Sequence, residues 1–138
     1  MIKRIFVDSD IAIDVATGRM PFFNDSKQVL SFCERGFAVE SISSDIVTNV
    51  YYVLRKLSLH EKSKDFLGLI LSFLTVISVD RRSILDALKS KFADFEDAVQ
   101  HFSALANNCD LIVTRNTRDY EKSEVRVMTP TDFLGLFS

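Results

Sequence analysis

The chain has 138 residues, of which 47% are hydrophobic and 26% charged, with four glycines and two prolines. This length and balance predict a single domain over 1–138 whose core closes by packing alone, and they exclude a disordered chain, a collagen and a coiled coil. With 17 Lys and Arg against 19 Asp and Glu, the net charge is −2, so any hold on nucleic acid must come from local basic patches.

Cys33 and Cys109 both lie in apolar surroundings, which fits buried, reduced thiols and a cytoplasmic protein better than a disulfide framework. Asp8 and Asp10 interrupt what would have to be the apolar region of a secretory leader. The longest apolar stretch, 66–79, contains Ser72, Thr75 and Ser78 and falls short of the roughly 18 residues that a membrane span needs. It is expected to be a buried helix running into a strand.

In chain order, Ile5, Phe6 and Val7 form a short apolar run that stops at Asp8, the pattern of a strand buried on both faces. Similar runs at 37–39, 76–79, 111–113 and 125–128 make about five strands. Val29, Phe32 and Cys33 share one helix face that ends near Gly36. Val47, Val50, Tyr51 and Leu54 mark a second helix, for which Ser43 or Ser44 is the expected cap. Phe66, Leu69, Ile70 and Phe73 mark a third. Phe95, Ala98, Val99, Phe102, Leu105 and Ala106 form the cleanest stripe, which opens after the N-cap candidate Asp94. Thr129, Pro130 and Asp132 start a short last helix. Strands separated by helices pair in parallel through crossovers, so the expected class is α/β, with ligands gathering beyond the carboxyl ends of the strands.

Acids fall on that rim. Asp8 directly follows the first strand, with Asp10 and Asp14 close behind, and it either holds a divalent cation or caps a helix starting at Ile11. Asp94, Glu96 and Asp97 open the Phe95 helix, where the macrodipole alone favours acids. Asp97 lies off the apolar stripe and is free to face a cleft. The loop 113–120 gathers Thr114, Arg115, Asn116, Arg118, Asp119 and Tyr120 beyond the fourth strand. Three acid-bearing segments on one rim favour a metal site over a merely solvated loop.

The stretches FVDSDIAIDV, SSDIVTNVYYVLRK, DFEDAVQHFSALANNCDLIVTRNTRDY and VRVMTPTDFL together resemble the PIN-domain family, near its VapC-type toxin ribonucleases, over essentially the whole chain. The third stretch is the most specific. The resemblance implies a three-layer α/β/α fold around a parallel sheet of about five strands, and a ribonuclease dependent on Mg²⁺ or Mn²⁺. By the same resemblance Asp8, Asp97 and Asp119 are the metal-binding, catalytic acids, with Asp10, Asp94, Thr114 and Asn116 in support. One departure stands out: Asn49 occupies a position that is usually glutamate in active members. An amide oxygen can ligate Mg²⁺ but adds no negative charge. Asp45, one turn earlier on the same face, is either a substitute or an acid that suits a helix start.

Phosphodiester hydrolysis needs an activated nucleophile and neutralisation of charge on the phosphoryl oxygens, and clustered carboxylates around a hard cation meet both needs. His60 and His101 lack zinc-like spacing, and His101 reads as a partly packed residue. Arg115 and Arg118 are the expected RNA phosphate contacts, with Arg55, Lys56, Arg81, Arg82, Lys89 and Lys91 as further cations. Tyr52 and Tyr120 are candidates for stacking on a base, with packing as the alternative for Tyr120. Among 12 phenylalanines, Phe22, Phe23, Phe32, Phe66, Phe73, Phe92 and Phe102 are expected to be mostly core. By resemblance, those on the second and third helices would also serve a homodimer face and an antitoxin groove. Asn49 leaves a second reading open, a PIN-like module with weakened catalysis that binds RNA or protein. A third reading takes Asp8 and Asp10 as the start of a haloacid-dehalogenase phosphatase, or Asp80 as a receiver phosphoacceptor. It lacks a second phosphatase acid pair and a lysine closing the fifth strand.

Overall fold

The computed structural model describes residues 4–57 and 60–137. Strand β1 (Arg4–Val7) leads into helix α1 (Ser9–Thr17) and then α2 (Phe23–Glu34). Next come β2 (Val39–Ser43), α3 (Ser44–Lys56), α4 (His60–Leu71), β3 (Thr75–Ile77), α5 (Arg81–Lys89) and α6 (Phe95–Ala106). The chain finishes with β4 (Leu111–Val113), a 3-10 turn (Thr117–Tyr120), β5 (Arg126–Met128) and α7 (Pro130–Gly135).

All five strands pair in parallel in the order β3-β2-β1-β4-β5. Ile5, Phe6 and Val7 of β1 and Leu111, Ile112 and Val113 of β4 are fully buried, because helices cover both faces of the sheet. The chain winds outward through β1, β2 and β3, then returns to lay β4 on the other side of β1. The strand order therefore reverses between β1 and β4, where a doubly wound sheet opens a crevice beyond its carboxyl ends. The ladder runs one residue past β1, with Asp8 N–H donating to the Val113 carbonyl at 3.0 Å, so Asp8 is pinned at the mouth of that crevice.

Several expected boundaries move for identifiable reasons. The run 37–39 is not a strand: Phe37 closes helix α2. Gly36, at φ 79°, donates to the Cys33 carbonyl and Phe37 donates to that of Phe32, while the Phe32 and Phe37 rings lie 5.5 Å apart. This is a Schellman stop with its hydrophobic contact, and β2 begins only at Val39. Ser43 stands at the N-cap of α3, but its hydroxyl makes no capping bond. Asp94 and Thr129 do cap, accepting from Asp97 N–H at 2.9 Å and Asp132 N–H at 3.1 Å. In α4, Leu69 and Leu71 are exposed, so 66–79 is not buried throughout.

Helix α6 is rotated from the face that its apolar stripe suggested. Phe95, Leu105 and Ala106 face outward, whereas Gln100, His101 and Ser103 are buried with Ala98 and Ala104. Two of these polar side chains meet partners inside, Gln100 Oε1 accepting from the Tyr120 hydroxyl at 3.0 Å, while Ser103 Oγ and His101 Nδ1 are buried without one. His101 Nε2 accepts from Glu124 N–H at 2.9 Å, and its ring lies 4.8 Å from that of Phe92. His101 is thus fully buried rather than partly packed. The seven phenylalanines expected in the core are all half-buried, while Phe6 and Phe133 are the rings that the core encloses fully.

Glu40 is the main electrostatic cost of the sheet. It faces Ile5 across the β1–β2 ladder, is fully buried, and neither carboxyl oxygen has a hydrogen-bond partner. Burial pushes its carboxyl from 4.5 up to about 8. Between these values the folded protein holds a proton that the unfolded chain has lost, so stability falls as pH rises through that window. Glu40→Gln should therefore flatten the dependence of Tm on pH and raise Tm by about 5 °C or more near pH 9, measured by calorimetry. An unchanged slope would show that Glu40 is not the group responsible.

Candidate metal centre

Asp8 sits at the N-cap of α1 and is only 5% exposed. Its Oδ1 accepts from Ser9 N–H at 2.6 Å and its Oδ2 from the Thr114 hydroxyl at 2.8 Å. The Tyr120 hydroxyl lies 3.3 Å from the same Oδ2 and 3.0 Å from Gln100 Oε1. Asp8 caps a helix that starts at Ser9 rather than at Ile11, and it does so at the mouth of the crevice. Burial raises its carboxyl above the ordinary value, and hydrogen bonds to the charged form pull against that rise.

Asp10 is joined to the loop after β4. Its Oδ2 accepts from Arg115 N–H at 3.1 Å and from the Asn116 amide at 3.0 Å, with the Thr114 hydroxyl at 3.3 Å. Its Oδ1 is buried without a partner. Desolvation, followed by repulsion from Asp8, pushes the Asp10 carboxyl up to about 7.

Asp97, in the first turn of α6, is half-buried, while Asp94, Glu96 and Asp119 are exposed around it. Burial and then repulsion from Asp8, Asp94, Asp119 and Glu96 raise Asp97 to about 7. Among the described residues, no Lys or Arg forms an ion pair with any of these five acids. The fold therefore sets carboxylates just after β1, in α6 and in the loop after β4 with no paired cation, although the charge of Arg115 acts on neighbouring Asp10. As placed, no three His, Cys, Asp or Glu side chains among the described residues converge tightly enough to share an ion. An all-oxygen donor set, a buried orphan oxygen on Asp10 and uncompensated like charge nevertheless suit a hard divalent cation.

The two arginines expected at RNA phosphates have different surroundings. Arg118 lines a cavity of about 140 Å³ with Lys91, Lys122, Asp94, Asp97 and Asp119, which puts basic groups beside the acids. Arg115 instead grips the fully buried Asp14, with Nε and Nη2 at 2.9 and 3.0 Å from its two oxygens, and lies 4.3 Å over the Phe22 ring. Sequence reasoning missed this pair because nothing in the spacing of Asp14 and Arg115 signals it. Tyr120 is buried with its hydroxyl on Asp8 and Gln100, so it packs rather than offering a stacking face, whereas Tyr52 is exposed beside Lys56.

Asn49 Nδ2 donates to Glu96 Oε1 at 2.6 Å, tying α3 to α6 beside the site. Sequence reasoning passed over Glu96 because acids in a first helical turn already have a sufficient explanation in the dipole. Asp45 lies in the first turn of α3 and has a buried oxygen with no partner.

A parallel sheet whose crevice opens between β1 and β4, with acids of three segments on that rim, defines a doubly wound α/β protein with an acidic strand-end face. The PIN domain profile matches residues 4–118, and the chain belongs to the PIN domain family. It is 25% identical over 136 residues to "Ribonuclease VapC1" of Aquifex aeolicus (strain VF5), covering 95% of this chain and 93% of that protein. The DNA-bound VapBC structure from Salmonella typhimurium superposes with a TM-score of 0.70 at 16% identity, covering 94% of this chain and 99% of that one. A toxin-antitoxin complex from Klebsiella pneumoniae gives a TM-score of 0.67 at 24% identity, covering 91% and 97%. No helix among the described residues is long and apolar enough to cross a membrane.

Removing one partner of a buried ion pair strands the other charge, at a cost of about 3–5 kcal/mol. Arg115→Met should lower stability by about 3 kcal/mol in urea unfolding near neutral pH, because Asp14 keeps its burial and loses its counter-charge. A loss below about 1 kcal/mol would mean that Asp14 is satisfied in another way.

Proposed function

We propose that the chain is a metal-dependent RNA endonuclease, the toxin half of a toxin-antitoxin pair, with Mg²⁺ or Mn²⁺ held by Asp8, Asp97 and Asp119. The observation that carries this reading is the set of mutually repelling carboxylates at the switch point of the sheet, with no basic side chain paired to them. The VapC1 relative and the likeness to VapBC structures support both the ribonuclease activity and an antitoxin partner. When bound, the cation would acidify a water and draw charge off the scissile phosphate.

The protein's own residues then have distinct tasks. Ser9 N–H and the Thr114 hydroxyl fix both oxygens of Asp8, so its carboxylate meets the rim in one orientation. Asn116 and the backbone of Arg115 hold Asp10, which orders the loop that carries Asp119. Arg118, Lys91 and Lys122 stand where a phosphate chain passing the acids would need cations, and Arg118 can bind phosphate through paired donors. Asp94 caps α6 and so sets the first turn from which Asp97 projects. A homodimer would use α3 and α4, where Tyr52 and Leu69 are exposed.

With the protein purified away from any partner, RNA cleavage should require Mg²⁺ or Mn²⁺ and stop in chelator. Asp8→Asn and Asp97→Asn should each lower the rate by about a hundredfold or more while leaving the circular dichroism spectrum intact. Mn²⁺ uptake by the RNA-free protein should strengthen as pH rises through about 7, because Asp97 must shed its proton to take the ion. Equal cleavage in chelator would refute the metal mechanism. A correctly folded protein that binds RNA without cutting it would leave the weakened, binding-only reading in its place.

A further inference from the structure

A cavity of about 190 Å³ lies where the start of α2, the loop after β4 and the start of α7 meet, with Phe22, Asp25, Ser26, Arg115, Thr129 and Pro130 in its walls. It shares Arg115 with the acid rim: the backbone N–H of that residue donates to Asp10 Oδ2 at 3.1 Å, while its side chain lines the cavity. The guanidinium is held in place by Asp14, at 2.9 and 3.0 Å, and lies 4.3 Å over the Phe22 ring. Asp14 takes up two of the five N–H donors that a guanidinium carries, so others remain for a ligand. One wall of the cavity is thus a flat cation fixed in advance.

The other polar groups on the cavity have capacity to spare. Asp25 Oδ2 accepts from the Thr131 hydroxyl at 2.8 Å, and among the described residues Oδ1 accepts no hydrogen bond. Ser26 is only 1% exposed, and its Oγ is buried without a partner, a cost that a ligand atom would relieve as the hydroxyl turns about its single torsion. Charge then narrows the ligand. An anion is repelled by Asp25 and by the buried Asp14, and a cation by Arg115, whereas a neutral group with a donor beside acceptors satisfies both walls. Size narrows it further, because a cavity of about 150 Å³ already holds benzene, so this one takes a single six-membered ring. Cytosine has that size and that edge: its amino group donates to a carboxylate, its ring nitrogen and carbonyl oxygen accept, and its face stacks on a guanidinium plane. Uracil turns a carbonyl toward the carboxylate in place of the amino group.

We propose that this cavity is a base subsite that takes an unstacked cytosine of single-stranded RNA, with Asp25 reading the amino group and Arg115 the acceptor edge. The proposal rests on the ribonuclease reading above and deepens it by naming the base. Arg115 belongs both to the loop bonded to Asp10 and to the cavity wall, so a base seated here belongs to a nucleotide beside the phosphate at the acids. Asp25 is then a specificity-determining residue outside the acid rim.

Titration of the full chain with cytidine, uridine and adenosine in chelator, followed by amide NMR, tests the cavity without cleavage and without a phosphate for other basic groups to hold. Cytidine should bind with a Kd of about 1 mM and shift the amides of Asp25, Ser26, Arg115 and Thr131. Uridine and adenosine should bind at least about tenfold more weakly. Asp25→Asn keeps an oxygen for the Thr131 hydroxyl and removes the charge. It should cut the preference for cytidine over uridine to below about threefold, with Tm within about 3 °C of the wild type. Equal binding of the three nucleosides, no shift at about 10 mM cytidine, or a preference that survives Asp25→Asn overturns the proposal. RNA cleavage in Mg²⁺ separates the two readings. A chain that binds cytidine as expected but cuts no RNA keeps the base subsite and loses the nuclease, whereas one that cuts RNA and ignores cytidine loses the subsite alone.

Discussion

Carboxylates that would repel one another in solution are brought together in this protein by a backbone that cannot let them separate. Asp8 is held by the β1–β4 ladder and by Ser9 and Thr114, and Asp97 by the first turn of α6, while the loop after β4 carries Asp119. Burial first, and mutual repulsion second, push the carboxyl groups of Asp10 and Asp97 up to about 7. A group held so far from its ordinary value carries a free-energy cost that the rest of the fold must offset. Core packing supplies the rigidity: β1 and β4 are enclosed on both faces, so the rim on which the acids stand does not give way.

The site has an inner side and an outer side. Beneath Asp8, Thr114, Tyr120 and Gln100 make a buried polar layer in which each group has a neighbour. To one side, Arg115 neutralises Asp14 and stays with it, which keeps a guanidinium near the acids without placing it on them. Outward lie Arg118, Lys91 and Lys122, where a polyanion approaching the acids would meet positive charge first. Basic groups thus stand beside the acids rather than bonded to them.

The Asn49–Glu96 hydrogen bond, at 2.6 Å, ties α3 to the first turn of α6 and so braces the turn from which Asp97 projects.

Much of this protein follows from local chemistry. The apolar runs that stop at Asp8 and at Thr114, the caps at Asp94 and Thr129, and the glycine stop at Gly36 are all written in adjacent residues, because hydrogen-bonding and steric preferences act over a few positions. The acids at strand ends could be read for the same reason. Tertiary structure alone decided what depends on distance through space: that Arg115 belongs to Asp14, that Tyr120 turns inward to Asp8, that α6 buries Gln100 and His101 beside Ala98 and Val99 while Phe95 and Leu105 face outward, and that Glu96 meets Asn49. Each of these joins residues far apart in the chain, or chooses between faces of a helix that are nearly equal in hydrophobicity. The choice is made by partners that only the assembled fold brings within reach.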